Sequence, residues 1–471
     1  MTDETRKLTP ANENPWYVLM TLHGESGGEG KWDDGETADM NRWAWNAWAT
    51  QHYSLAELSQ AGIDTQEFGA WSRNGKEIEK LFFQVLEERE WFDPTGILIP
   101  DPADVIDMSS LYFERPFNIS KFIIPSDMDV MGSKFKEVAL FDEALCLGKF
   151  RGAGATFHMG AHFDQTICVG SLSFSDAVFE DVCSFSKMKV QGRSYFSGAR
   201  FKRATDFVFT QFDKGVNFAG STFERGGLFR NMKVQGNAEF STSMFKGRAD
   251  FAEAKFLVGK ENRDNRLRFA GAIFDGPVSF RQTVFEASYP DFDGAVLHNV
   301  MTFTARDELW PNSDVPDVTQ AKESCATIRH AVAKQGLPED EHFFFRREMH
   351  FASQIGGWWR RLPYRLFGEF SNYGESIARP MRALVELFTL GAVALFGTLL
   401  ATKGWVAALG LAVSVSFSNL LPLFGFGRTF LKDTLMGLPP LLQFMSAAQT
   451  VLALPLLFFL GLGLRKRFRL R

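Results

Sequence analysis

Two histidines four residues apart, His158 and His162, are the first place in this 471-residue sequence to look for chemistry. On a helix that spacing would set both imidazoles on one face, as a metal site requires. Here they stand beside Phe157 and Phe163 inside a phenylalanine repeat. Alternation about an inward Phe turns both histidines outward, so they are surface residues. Glu339-Asp340-Glu341 reads as an acidic loop or helix start, favourable against the helix dipole but without a catalytic partner. Gly24–Gly30 (GESGGEG) follows a short apolar run, yet no Gly-x-Gly-x-x-Gly leads into a helix, and it reads as a flexible loop. The cysteines Cys146, Cys168, Cys183 and Cys325 form no CxxC pair, which argues for small apolar fillers over zinc or dithiol chemistry. GxxxxGK[ST] and HExxH are both missing. The expectation is a protein that is not an enzyme and has no catalytic residue, metal or cofactor.

The elements carry more information than the polar residues. The chain holds 49 Phe against 7 Tyr, a preference for buried rings without a hydroxyl to satisfy. Phe163, Phe174, Phe185, Phe196, Phe207, Phe218, Phe229, Phe240 and Phe251 recur every 11 residues without a break. A second register, 157 to 256, is also 11 apart and holds Phe at seven of ten positions, with Cys168, Val190 and Val234 substituting. An unbroken run of nine has chance odds on the order of one in a billion, so the period signals a stacked array. The two registers interleave as steps of five and six. After an insertion near Lys260–Asn265 the steps return at Phe269, Phe274, Phe280 and Phe285, and Phe135 and Phe141 show them upstream. A small residue often stands two places before the ring: Ala155, Ala161, Ala177, Ala199, Ala238, Ala249, Ala254, Ala272. Such a step is neither helical nor strand-like. It suits a chain that turns a corner after each short extended side, sending one ring and one small side chain inward and stacking coils about 4.8 Å apart.

YFSGARFKRATDF and ADFAEAKF, with their F-x-x-A-x-F pattern, resemble the pentapeptide-repeat family. The resemblance covers roughly residues 130–305 and implies a mainly β fold: a right-handed, quadrilateral β-helix. Sides of five, six, five and six residues make 22 per coil, hence about eight coils and a rod near 40 Å long. The domain plan is a helical N-terminal domain at 1–110 and the β-helix at 111–305. A helical cap and juxtamembrane linker follow at 306–382, then a membrane segment at 383–471.

In the N-terminal domain, Trp43, Trp45 and Trp48 lie close together, and Gly75–Trp91 has helical apolar spacing at Ile78, Leu81, Phe82, Val85 and Leu86. The tryptophans read either as a partner or lipid patch or as a local core closing the first coil. No basic, apolar signal peptide opens the sequence, so the soluble part is expected on the cytoplasmic side. Residues 310–365 read as two helices broken at Gly336-Leu337-Pro338, a cap for the solenoid's far end. Trp358, Trp359, Arg360 and Arg361 then mix aromatics with arginines, as membrane interfaces do.

From Ala383 the chain is overwhelmingly apolar. Spans near 383–402 and 443–464 are long enough to cross a bilayer. Both flanks are basic: Arg360, Arg361, Arg365, Arg379 and Arg382 before, Arg465, Lys466, Arg467, Arg469 and Arg471 after. Positive residues mark the cytoplasmic side, so two crossings are expected in the inner membrane. The stretch 405–426 must then enter and leave on one side or lie along the interface. The alternative is three spans with an external tail. SNYGESIARP and LFFLGLGLRKRFRLR resemble bacterial membrane proteins that join pentapeptide repeats to a channel-like pore unit. No TVGYG-like filter is present. The candidate pore-loop residues are Ser416, Ser418, Asn419 and Pro422, in SVSFSNLLP.

The expected partners are the lipid bilayer, an unidentified protein and further copies of this chain. A membrane-anchored scaffold is the leading expectation, with a channel-like protein as the alternative. DNA mimicry directed at topoisomerases needs an acidic rod. Lys187, Lys189, Arg193, Arg200, Lys202 and Arg203 are interspersed with acids and the net charge is only −5, so DNA mimicry is the weakest of the three readings and nucleic acid is not an expected partner.

Overall fold

The computed structural model describes residues 8–25, 35–51, 75–88, 98–258, 266–286, 288–312 and 315–468. The chain divides into two compact units, residues 1–342 and 343–471. In the first, parallel strands of two or three residues build four sheets of nine, eight, nine and eight strands among the described residues. Each sheet is one side of a coil. Phe150 pairs with Leu172, Phe157 with Phe179, Ala161 with Cys183 and Cys168 with Val190, all 22 residues apart. The result is a four-sided β-solenoid of about nine turns. Residues 259–265 lie outside the described set. Across them the offset grows by seven, to 29 for Met244 and Ile273, and the chain resumes on the same sides.

The side chains explain the period. The 11-residue run is not one column, as its spacing alone suggests. Successive members lie on different sides of the coil, so each stack repeats at 22. Phe196, Phe218 and Phe240 stack at centroid distances of 4.9 and 5.1 Å, and Phe185, Phe207 and Phe229 at 4.7 and 5.3 Å. Phe207 meets Phe196 and Phe218 edge-on at 5.4 and 5.2 Å. Stacking along the axis and edge-to-face contact across it are both favourable aromatic geometries. A third Phe column runs through Phe135, Phe157, Phe179, Phe201 and Phe223 at 4.7 to 5.1 Å. The fourth is mixed: Ile124, Cys146, Cys168, Val190, Phe212, Val234, Phe256, Phe285. The eight alanines named above are all buried.

The corners have a rule of their own. Every eleventh residue from Ser110 to Glu253 has a left-handed φ, between 55° and 70°. Glycine fills only four of these fourteen places (Gly132, Gly154, Gly198, Gly220), so no residue type announces the turn. Beneath several corners a buried hydroxyl donates to a main-chain carbonyl: Thr166 to Phe141 and Thr210 to Phe185, each at 2.7 Å.

Both ends of the solenoid are closed. At the first end, Thr9–Pro10 pairs in parallel with Leu111–Tyr112. Helices α1 (Pro15–Met20), α2 (Gly35–Ala49) and α3 (Gly75–Glu88) surround this edge. The Asn46 side chain accepts from the Ile123 N–H at 2.8 Å and donates to the Lys121 carbonyl at 3.1 Å. A missing coil would supply those same bonds. Trp45 stacks on Phe122 at 5.7 Å and donates its indole N–H to the Ile123 carbonyl at 2.8 Å. Trp45 and Trp48 are buried, so the tryptophan cluster closes the first coil. Helix α3 buries Ile78, Phe82 and Leu86 on one face; residues 89–91, expected to extend it, are outside the described set, as are 26–30 of the glycine-rich stretch.

At the far end, Trp310 stacks on Phe285 at 4.5 Å. Helix α4 (Val318–Ala333) lies against the last turns: Gln320 donates to the Tyr289 carbonyl at 3.1 Å and Ser324 to the Pro290 carbonyl. Two boundaries move as a result. The solenoid opens at Ile106–Asp107, which pairs with Met128–Asp129, because its first coil needs a strand on each side. Of the two helices expected as the cap, α4 packs with the solenoid, whereas the chain after residue 342, with most of the second helix, belongs to the second unit.

The second unit contains most of α5 (Pro338–Ala352) and all of α6 (Trp358–Ser371), α7 (Ala378–Leu399) and α8 (Trp405–Leu420). Two single-turn helices, α9 (Phe426–Phe430) and α10 (Lys432–Met436), lead to α11 (Pro440–Arg467).

Candidate functional site

Among the described residues no group of three or more His, Cys, Asp or Glu could hold a metal. His158 is exposed and His162 half-buried on the solenoid surface. Cys146, Cys168, Cys183 and Cys325 are all buried and unbridged. Burial pushes the Cys183 thiol up to about 12, which keeps it protonated and unreactive.

The outer surface of the solenoid carries charge in columns. Glu114, Lys136, His158, Glu180, Lys202, Glu224 and Lys246 stand one above another at 22-residue intervals. Ion pairs join Lys136 to Glu114 at 3.5 Å, Lys202 to Glu180 at 2.8 Å and Lys246 to Glu224 at 2.7 Å. Alternating signs fix the vertical register and leave this face close to neutral.

The second unit holds the most unusual surface. Helices α7 and α11, of 22 and 28 residues, are long and apolar enough to cross a bilayer. Their outward residues are bare: Leu390, Val393, Leu441, Phe444 and Val451 are between 65% and 72% exposed. Two apolar clusters set the path of the chain. One joins the end of α7 (Leu395, Leu399), the start of α8 (Ala408, Ala412) and the start of α11 (Leu438, Leu442). The other joins the start of α7 (Leu384) to the later half of α11 (Ala453, Leu456), with Leu420 at the end of α8 against it. Helices α7 and α11 are therefore antiparallel. The segment between them goes down along α8, about 24 Å at 1.5 Å per residue, and climbs back to where it started. The chain between the two long helices thus starts and ends at the same end of the bundle.

The candidate pore-loop residues lie on helix rather than on loop. Ser416, Ser418 and Asn419 are buried on the last turns of α8, and Pro422 opens a single 3-10 turn. The structure brings Ser416 and Asn419 together with two residues the sequence reading missed, Ser446 and Gln449 of α11. Asn419 donates to the Ser446 hydroxyl at 2.7 Å and to the Gln449 side-chain Oε1 at 3.0 Å. Gln449 donates to Ser416 at 2.6 Å and to the Leu387 main-chain carbonyl at 3.0 Å. Ser416 donates to the Phe388 carbonyl at 2.9 Å. These polar atoms satisfy one another across three helices, as buried amides and hydroxyls must. Their signal in the sequence was two polar residues one turn apart in an apolar run. Gly391 leaves room for the amide: a Cβ there would lie 2.4 Å from Gln449 Nε2.

The stretch SNYGES forms the elbow between α6 and α7. Asn372, Tyr373 and Gly374 all have left-handed φ, at 50°, 56° and 83°, an arrangement a bulky side chain adopts only when its surroundings impose it. Tyr373 packs over Gly368, where a Cβ would meet the ring at 2.7 Å. Glu375 pairs with Arg346 at 2.6 Å. Burial raises the Tyr373 hydroxyl above its ordinary pKa and lowers that of His350.

A family model described as pentapeptide repeats (9 copies) matches residues 174–222. The stretch of solenoid it covers is built of pentapeptide repeats. The matched residues are the most regular of the phenylalanine coils, and the same register continues on both sides of them. No curated protein and no solved structure matches the chain.

Proposed function

We propose that this chain is a membrane-anchored, non-enzymatic pentapeptide-repeat scaffold, held in the inner membrane by α7 and α11 with its solenoid on the cytoplasmic side. One observation carries the anchor: the outward faces of both long helices are apolar and uncovered. In water such a surface drives association, and in lipid it needs no cover. The basic residues support the orientation. Arg379 and Arg382 begin α7, and Arg465, Lys466 and Arg467 end α11, at the end of the bundle that the antiparallel packing makes common to both. The scaffold reading rests on the solenoid, a long, register-locked surface of paired charges with no cluster of metal-binding side chains among its described residues.

The test is a membrane preparation. The full chain should stay in the pellet after alkaline carbonate extraction. A cysteine placed at Lys403, in the turn between α7 and α8, should react with an impermeant maleimide added outside, and one at Arg467 should not. Release by carbonate refutes the anchor; labelling at Arg467 refutes the orientation.

A second reading, a pore unit made by several copies, is favoured by the span, hairpin, span order alone. It predicts ion flux in liposomes above empty-vesicle leakage, lowered by Asn419→Ala. Flux equal to leakage removes it.

A further inference from the structure

We infer that the second unit carries a binding site for an anionic phospholipid, in the groove between α6 and α11. The inference rests on the membrane-anchor reading and goes beyond it by naming a site and a lipid charge. The groove measures about 460 Å³, and its lining includes Met349, Leu362, Tyr364, Leu366, Phe459 and Leu462. A groove whose walls offer almost no hydrogen bond selects a chain of methylenes over a polar ligand.

Charge decides which lipid. Helix α6 carries Arg360, Arg361 and Arg365 against a single acid, Glu369. Arg361 and Arg365 are one turn apart, each immediately before a groove residue, Leu362 and Leu366. The Arg361 Nε is enclosed and has no hydrogen-bond partner among the described residues. That enclosure fixes the guanidinium plane, and the terminal N–H groups of such an arginine pair with a phosphate oxygen by charge-assisted bonds. On α11, Arg465 and Lys466 follow Leu462 by one turn, adding positive charge to the same wall. Trp358 and Trp359, 63% and 70% exposed and stacked at 3.7 Å, begin α6. Indole rings of this kind settle at the headgroup level of a bilayer. The arginines, the tryptophans and one wall of the groove thus all belong to α6. We assign the acyl chain to the groove and the phosphate to Arg361 and Arg365.

The experiment uses the full chain in detergent, mixed with equal amounts of dioleoyl-phosphatidylglycerol and dioleoyl-phosphatidylcholine and read by native mass spectrometry. The expected result is retention of phosphatidylglycerol at least fivefold over phosphatidylcholine. The double variant Arg361→Gln/Arg365→Gln should bring the ratio to about one. Leu462→Trp, which fills the groove but keeps the arginines, should lower phosphatidylglycerol retention severalfold with an unchanged solenoid melting curve. Equal retention of both lipids by the wild type overturns the site, as does a ratio untouched by the double variant. Flotation with pure phosphatidylcholine vesicles separates the two readings. A chain that floats without lipid preference keeps its anchor and loses the site; a chain that does not float loses both.

Discussion

Gly170 carries a constraint that its backbone dihedral does not reveal. A Cβ there would lie 2.3 Å from the carbonyl oxygen of Gly148, one coil back, and Gly192 meets Gly170 at 2.2 Å in the same way. These glycines let consecutive corners touch. Gly170→Ala must push two coils apart, and overpacking of that kind costs about 1–3 kcal/mol. The control is Gly154→Asn. Gly154 has φ 68° with open space around it, and the equivalent corner one coil on is already Asp176. Thermal unfolding should show a clear fall in midpoint for the first substitution and almost none for the second. The thiols make a second test at this scale. Cys146 and Cys168 face each other in register. Their contact and their burial raise the Cys146 thiol well above its ordinary value. A group whose folded pKa is raised stays protonated until the pH passes that value, and only the thiolate attacks. At pH 8 a thiol reagent should find none of the four buried cysteines in the native chain and all four after denaturation. Fast labelling of the folded protein would contradict the packing.

At the scale of elements, the strands are too short to be stable alone, so the columns hold the coils together. Phe218 is fully buried, stacked between Phe196 and Phe240 and met edge-on by Phe207 and Phe229 at 5.2 and 5.8 Å. Phe218→Ala leaves a cavity in the middle of the array and should cost about 3–5 kcal/mol, with Phe218→Leu costing less. Urea unfolding followed by far-ultraviolet circular dichroism measures both. The charge column is a weaker device. Lys202 and Glu180 are 47% and 32% exposed, and exposed pairs contribute at most about 1 kcal/mol, so their role is register. The periods of five, six and 11 were legible because every coil repeats the same demand for an apolar ring. The corner rule was not. A left-handed φ accepts Gly, Asn, Asp, Lys or Gln at small cost, and Phe209 at 58° shows that even an aromatic is held there. Nothing in the side-chain types marks the position.

For the whole molecule, the exposed edges of a solenoid are its hazard, since an open coil pairs with another copy. Asn46, Trp45 and the Thr9–Pro10 strand cover one edge; Trp310 and α4 cover the other. Removing residues 1–100 should uncover the first coil and convert a discrete particle into end-to-end multimers in light scattering. Removing the second unit should leave the solenoid's secondary structure intact, because the chain divides at residues 342 and 343. A monodisperse product from the first truncation would show that the caps serve something other than edge protection.

The sequence by itself determined the turning chain, its steps of five and six and the inward rings, because a period is a local demand made again at every turn; the 22-residue coil came with the family resemblance. It also determined two long apolar helices and the basic residues around them, since composition and length suffice for that. Only the tertiary structure decided which ring stacks on which, since residues 11 apart lie on different sides of the coil. Only the structure supplied the partners of Asn46, Gln449 and Tyr373, whose contacts come from chain distant in sequence or from an elbow that local rules disfavour. Side chains that satisfy a neighbour's open hydrogen bonds have no spacing of their own to betray them.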